Sequence, residues 1–236
     1  MTITLHAFGP YFGLPDASPF VMKADLLLKM SGLPYATRCG DLRRSPKGKL
    51  PYLTDGEARI ADSTFIRLHL EDRHGIDFDA GYGPAERALG WSVEKMLEDQ
   101  AYHAVLQARW FDDANFARGP AQFFATVPAP FRPVVTAVIR RSVRKGARAH
   151  GFGRHSRSEV ERLGIRAVDA AADLLGDKPY LLGDTLSGSD ATLHAFAAHL
   201  LCPVFDTPIR AAGEAHRNLV AYVRRMDAMF YPQAAA

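Results

Sequence analysis

The chain has 236 residues, a net charge of +3, 47% hydrophobic and 23% charged residues. This is enough for one large domain or two ordinary ones, with a globular, water-soluble composition. The charge makes no case for nucleic acid, and Cys39 and Cys202 are too far apart for a metal or redox motif. Residues 1–6 do not read as a signal peptide, and no apolar run nears the ~20 residues that span a bilayer, so a reduced, cytoplasmic location is expected.

In chain order, residues 3–8 read as a strand and residues 9–17 as a Gly- and Pro-rich loop. Residues 19–31 read as a helix with Met22, Leu26, Leu27 and Met30 on one side. Ser18 falls at its N-cap, Pro19 at its first position and Gly32 at its stop. A second strand is expected over 35–39, with Cys39 in the core, and an irregular or helical piece over 42–47. The strand–helix–strand start predicts a parallel pair with a right-handed crossover.

The most informative stretch runs from Leu50 to Ser63. Pro51 opens a short apolar run, Asp55-Gly56 makes a turn, a second run follows, and Asp62-Ser63 stands at a helix start. Asp-Gly between apolar runs signals a hairpin. Acid and hydroxyl side chains suit the orphan amides of a helix N-terminus, which also attracts a ligand carboxylate. The helix is predicted over 63–74, buried through Phe65, Ile66, Leu68 and Leu70.

After a glycine-rich linker no further strand is predicted. Residues 86–117 show a long helical pattern, Pro128, Pro130 and Pro133 break residues 123–133, and residues 134–149 resume as a basic helix. Ser156 to Glu159 forms a capping box that opens a helix with a stripe of Val160, Leu163, Ala167, Val168, Ala171, Leu174 and Leu175. A similar box from Ser187 to Asp190 opens a helix through Leu200, and residues 218–229 make a last one. The reading is a small α/β domain followed by an all-α domain.

These residues resemble the glutathione transferase superfamily. The matching pieces are Ser18-Pro19-Phe20, Gly32-Leu33-Pro34-Tyr35, Pro46-Lys47-Gly48-Lys49-Leu50-Pro51, Asp62-Ser63 and the box at Ser187. The segments 9–15, 153–156, 176–181 and 218–232 look most like the failed-axon-connections and metaxin-like branch, here without a membrane tail. The resemblance implies an α+β two-domain fold: a thioredoxin-like, glutathione-binding domain over 1–76 with a mixed four-stranded sheet, a linker over 77–85 and an all-helical domain over 86–236. It also implies a cis Leu50–Pro51 peptide, a homodimer and glutathione as co-substrate.

The resemblance further implies that Ser18 donates a hydrogen bond to the glutathione thiol, with Tyr11 as runner-up. Leu50 and Pro51, where the strand from Tyr52 presents its peptide edge, would pair with the cysteinyl backbone. Asp62 and Ser63 would take the γ-glutamyl end, and Lys49, with Lys47, the glycyl carboxylate. Each also has a plain alternative: Ser18, Asp62 and Ser63 as helix caps, the lysines as solvated side chains. The absence of Cys at Ser18 argues against disulfide chemistry.

A pocket for a small hydrophobic electrophile is expected between the domains, lined by Tyr102, Trp110 and Phe111 from an aromatic region that includes Phe116, Phe123, Phe124 and Phe131; core packing is the commoner fate of such residues. The basic stretch Arg132 to Arg154 reads as a solvated face paired with Glu94, Glu98, Asp112 and Asp113. His69 and His74, or His194 and His199, lack a metal spacing with an acid partner on their own helix, and no metal is assigned. The leading reading is a glutathione transferase. A non-catalytic adaptor and a glutathione-dependent isomerase are the alternatives.

Overall fold

The computed structural model describes residues 2–232. It begins with β1 (Ile3–Ala7), α1 (Pro19–Ser31), β2 (Tyr35–Cys39), β3 (Tyr52–Asp55), β4 (Ala58–Ala61) and α2 (Ser63–His74). The strands form one mixed sheet in the order β2-β1-β3-β4, with β1 parallel to β2 and antiparallel to β3. Alternation fixes the faces of β1: Ile3, Leu5 and Ala7 are buried, while His6 stacks on Tyr52 at 4.0 Å. The hairpin turns through Gly56 at φ +63°, pairing Asp55 with Ala58. This is the thioredoxin-like domain the resemblance implied, and the Leu50–Pro51 peptide is cis.

The remaining elements are helical. They are α3 (Pro84–Met96), a π-helical turn (Leu97–Ala101), α4 (Tyr102–Trp110), α5 (Asp113–Arg118), α6 (Arg132–His150), α7 (Arg157–Leu175), α8 (Gly188–Leu200), α9 (Pro208–Ala215) and α10 (Arg217–Phe230), with short 3-10 turns at Pro120–Phe124 and Phe152–Arg154. Every residue of α8 is buried. Its N-terminal Asp190 accepts hydrogen bonds from the Leu181 and Ser187 amides and from the Ser187 and Tyr222 hydroxyls, which satisfies an otherwise costly buried carboxyl. None of the described helices is long and apolar enough to cross a membrane.

An ion network joins the two halves of the chain. Lys23 of α1, fully buried, donates to Glu94 of α3 at 2.8 Å and to Glu98 of the π-helical turn at 2.7 Å. Glu94 also receives Arg67 of α2, which reaches Asp79, and Asp79 accepts the Gly188 amide at 2.9 Å. Buried charges of this kind persist only when each has partners.

Several expectations are corrected. The inward stripe of α2 is Ser63, Ile66, Arg67 and Leu70, spaced i, i+3, i+4, i+7, so Phe65 and Leu68 are exposed at 52% and 39%. Cys39 is exposed, because β2 is an edge strand turned toward solvent at its end. The pattern over 86–117 is broken by the π-helical turn and again after Trp110. Glu94 and Glu98 pair with α1 and α2 rather than with the basic helix, whereas Asp113 does meet Arg140 at 2.7 Å. Helix α9 was not anticipated, although Thr207 caps it and Pro208 opens it.

Candidate glutathione site

Topology brings the predicted residues to one end of the sheet. His6 pairs with Tyr52 and Tyr52 with Ala61, so the end of β1, the start of β3 and the end of β4 coincide. Each leads to a predicted element: the loop to Ser18, the Leu50–Pro51 bend, and Asp62-Ser63 at the start of α2. The strand from Tyr52 does not itself offer a bare edge. It lies inside the sheet between β1 and β4, so backbone available to a ligand is confined to Leu50, just beyond the pairing. The Leu50 side chain is buried, and a Cβ on Gly40 would stand 2.5 Å from its methyl, so a larger residue there would displace that side chain.

Ser18 occupies the N-cap of α1 in an extended conformation, yet its hydroxyl makes no capping bond. Instead its amide donates to Asp16 Oδ1 at 2.8 Å, while Asp16 Oδ2 accepts the amides of Phe8 at 3.0 Å and Gly9 at 2.7 Å. Asp16 thus gathers three amides of the loop, and burial raises its carboxyl to about 7 against those bonds. The serine hydroxyl at the helix tip remains free of the α1 backbone.

At α2, Asp62 caps the helix by accepting the Thr64 amide at 2.9 Å. Its φ of +86° is an unusual conformation for a side-chain-bearing residue, and such conformations cluster at ligand sites. Next to it, Ser63 is almost fully buried, and its Oγ has no hydrogen-bond partner. A buried, unbonded hydroxyl at a helix N-terminus has a proton to donate, which is chemistry that suits a carboxylate. Lys47 places its ammonium 4.2 Å over the Phe65 ring, and the Lys49 backbone is held by the Ser45 hydroxyl, leaving its side chain exposed.

The loop preceding Ser18 packs on the helical domain. Phe12, at φ +63°, contacts Phe205 and Phe123, and its carbonyl accepts the Cys202 thiol. The buried Arg109 guanidinium stacks 4.2 Å over Phe205 and donates to the carbonyl and Nδ1 of His199. Burial, with the Arg109 charge, holds His199 well below its usual range, and its Nδ1 accepts from a guanidinium that can only donate.

The three expected pocket residues do not converge. Tyr102 packs edge-on against Phe20 at 4.8 Å, near the start of α1. Trp110 stacks with Phe123, which also meets Tyr11 at 4.8 Å, so Tyr11 belongs to an aromatic wall. Phe111 turns instead into a cleft of about 450 Å³ between α4, α6 and α7, with Gln107, Arg144 and His155. Sequence reading missed His103 on α4. Its Nδ1 is buried without a partner, its ring stacks on His150 at 3.9 Å, and burial, with the charges of His150 and Lys49, lowers it to about 4. A lone histidine carries no sequence signal; only the fold sets its ring against His150.

A thioredoxin-like sheet with helix starts facing one end, joined to an all-helical domain, is the two-domain glutathione transferase fold. Comparison agrees. Residues 19–115 match the glutathione S-transferase N-terminal domain and residues 164–226 the C-terminal domain. The isoprene-epoxide–glutathione S-transferase of Rhodococcus sp. (strain AD45) is 30% identical over 235 residues, 95% of this chain and 97% of that protein. Failed axon connections of Drosophila melanogaster is 27% identical over 243 residues, 98% of this chain and 58% of that protein. A glutathione S-transferase from Methylobacterium radiotolerans, solved with glutathione sulfonate, superposes with a TM-score of 0.66 at 18% identity, covering 100% of this chain and 95% of that one. The chain belongs to the glutathione transferase superfamily.

Proposed function

We propose that this protein is a working glutathione transferase that activates the tripeptide thiol for attack on a small hydrophobic electrophile. The observation that carries this reading is the Ser18 hydroxyl, which sits at the N-terminus of α1 but makes no capping bond. A pure cap would have spent it on the helix.

In this reading Asp62 and Ser63 hold the γ-glutamyl group, Leu50, at the Pro51 bend, the cysteinyl backbone, and Lys49, with Lys47, the glycyl carboxylate. Ser18 donates to the thiolate. A free thiol has a pKa of ~8.5. A hydrogen bond to a charged acceptor contributes ~1.5–3 kcal/mol, about one to two pKa units, and the helix dipole up to ~1 kcal/mol more. Together they make the thiolate the main form near neutrality. The sulfur then bonds to the electrophilic carbon. In an epoxide, the group named for the Rhodococcus relative, a carbon–oxygen bond breaks and the oxygen takes a proton. The aromatic wall of Tyr11, Trp110 and Phe123, with Tyr102 against Phe20, supports an apolar second substrate. Phe65, Leu68 and Trp91, exposed on α2 and α3, support a homodimer, and a cytoplasmic location is part of the proposal.

The test is calorimetric titration with glutathione, followed by the ultraviolet thiolate signal of the complex in wild type and Ser18→Ala. Binding with a lowered thiol pKa that the variant loses supports the reading. Binding with no thiolate shift leaves Ser18 a structural residue. Absence of binding at millimolar glutathione favours an adaptor role.

A further inference from the structure

The hairpin end of the sheet, opposite the glutathione site, carries a second cluster. Thr4 pairs with Thr54, and the β3–β4 turn follows, so Asp55 stands at the far end of β3 from Pro51. Helix α2 runs the same way, from Ser63 beside Pro51 to His74 in its last turn, roughly 16 Å along at ~1.5 Å per residue. There His69 Nε2 and His74 Nε2 both lie 2.9 Å from one atom, Asp55 Oδ2. The side chains of Asp55, His69 and His74 are 11%, 15% and 23% exposed, so the cluster is sheltered yet open to solvent.

We propose that Asp55, His69 and His74 bind one divalent cation of the zinc type, which clips the β3–β4 hairpin to α2.

Three features carry this. The donor atoms, two imidazole nitrogens and a carboxylate oxygen, lie within 4.8 Å of one another and belong to the set that zinc prefers. Bonds of ~2.0–2.1 Å in a tetrahedron put ligand atoms about 3.3 Å apart, so the carboxylate moves by a few tenths of an ångström and the two rings close toward each other. The field also suits a cation. Asp55 brings its carboxylate to the C-terminal end of α2, where the helix dipole is negative, and the two imidazoles are what hold it there. The competing cation, Arg73, is 4.0 Å from Asp55 Oδ2 and 69% exposed, free to swing into solvent. Coordination through both Nε2 atoms needs the ring protons on Nδ1, and three protein ligands leave one position for water. The histidines are five apart on the helix and the acid is on a strand, so no helical motif announces the site.

The experiment uses untagged, chelator-stripped full-length protein titrated with zinc chloride and with cobalt chloride. Wild type and Cys39→Ser, which removes the exposed thiol, should each take up one equivalent with sub-millimolar affinity and melt at a higher temperature with metal. The double variant His69→Gln/His74→Gln keeps amide donors for Asp55 and should lose roughly tenfold in affinity at the least, together with the melting shift. Uptake that is not saturable, or is unchanged in the double variant, overturns the proposal. Should that variant fail to fold, diethyl pyrocarbonate labelling of wild type decides. Metal-dependent protection of His69 and His74 upholds the site, and equal labelling with and without zinc refutes it.

Discussion

The amide of Asp62 donates to the carbonyl of Pro51 at 3.2 Å, so the start of α2 and the start of β3 are tied by a backbone bond that no side-chain substitution removes. The Ser63 hydroxyl, buried and unpartnered, is set against that frame. Its replacement separates binding from stability. In Ser63→Ala the free protein loses an unsatisfied buried group, a change that is neutral to stabilising. Glutathione affinity should fall by about 10- to 150-fold, the equivalent of ~1.5–3 kcal/mol for a bond to a carboxylate. Calorimetry and thermal melting on the two proteins check both signs. Equal glutathione affinity would remove Ser63 from the site.

Asp16 gives a pH dependence. Its folded carboxyl is raised from 3.8 to about 7 by burial, so between those values the folded state holds a proton that the unfolded chain has released. Stability therefore declines as pH rises from ~4 to ~7 and levels beyond. A three-unit shift at ~1.36 kcal/mol per unit sets an upper bound of ~4 kcal/mol. Asp16→Asn should flatten this slope while weakening the loop, since an amide offers the Phe8, Gly9 and Ser18 amides only one acceptor oxygen. Urea unfolding at intervals across this range measures it.

What the sequence revealed follows a physical divide. Local chemistry was legible: Asp55-Gly56 announced the hairpin, Pro19 and Gly32 bounded α1, and both capping boxes opened the helices they signalled. Ser18, Asp62 and Ser63 were visible for the same reason, being helix-start residues. Contacts made across elements were not. The inner face of α2 includes Ser63 and Arg67, so hydrophobicity pointed to the exposed Phe65 and Leu68 instead. Lys23, hidden in α1, makes sense only once Glu94 and Glu98 arrive from another helix. His103 and the Asp55–His69–His74 cluster likewise depend on partners distant in the chain.

Gly188 opens α8 against the Arg67 guanidinium. A Cβ there would sit 2.4 Å from the Arg67 Cζ and 2.7 Å from both of its terminal nitrogens. Because Arg67 is held by Glu71, Asp79 and Glu94, it cannot simply move aside. Gly188→Ala is expected to cost ~1–3 kcal/mol, the range for overpacking, although alanine is intrinsically the better helix former. Denaturant unfolding of Gly188→Ala beside Gly146→Ala, where a Cβ meets nothing within 4 Å, isolates the clash; equal effects would refute it.

Lys23 tests how far the charged seam holds the domains together. Replacing it with methionine keeps the apolar stem but leaves Glu94 and Glu98 with only Arg67 and Lys95 for neutralisation. Stranding a buried charge costs about 3–5 kcal/mol. At 2–4 °C per kcal/mol for a chain of this size, the melting temperature should fall by roughly 6–20 °C. Adding Glu98→Gln to Lys23→Met removes one stranded carboxylate and should recover part of the loss, whereas Glu98→Gln alone in the wild-type background breaks a bond to Lys23 and should destabilise. That reversal of sign, read by calorimetry on the three variants and wild type, is the signature of a coupled pair. Additive effects would mean that Lys23 contributes through packing of its stem alone.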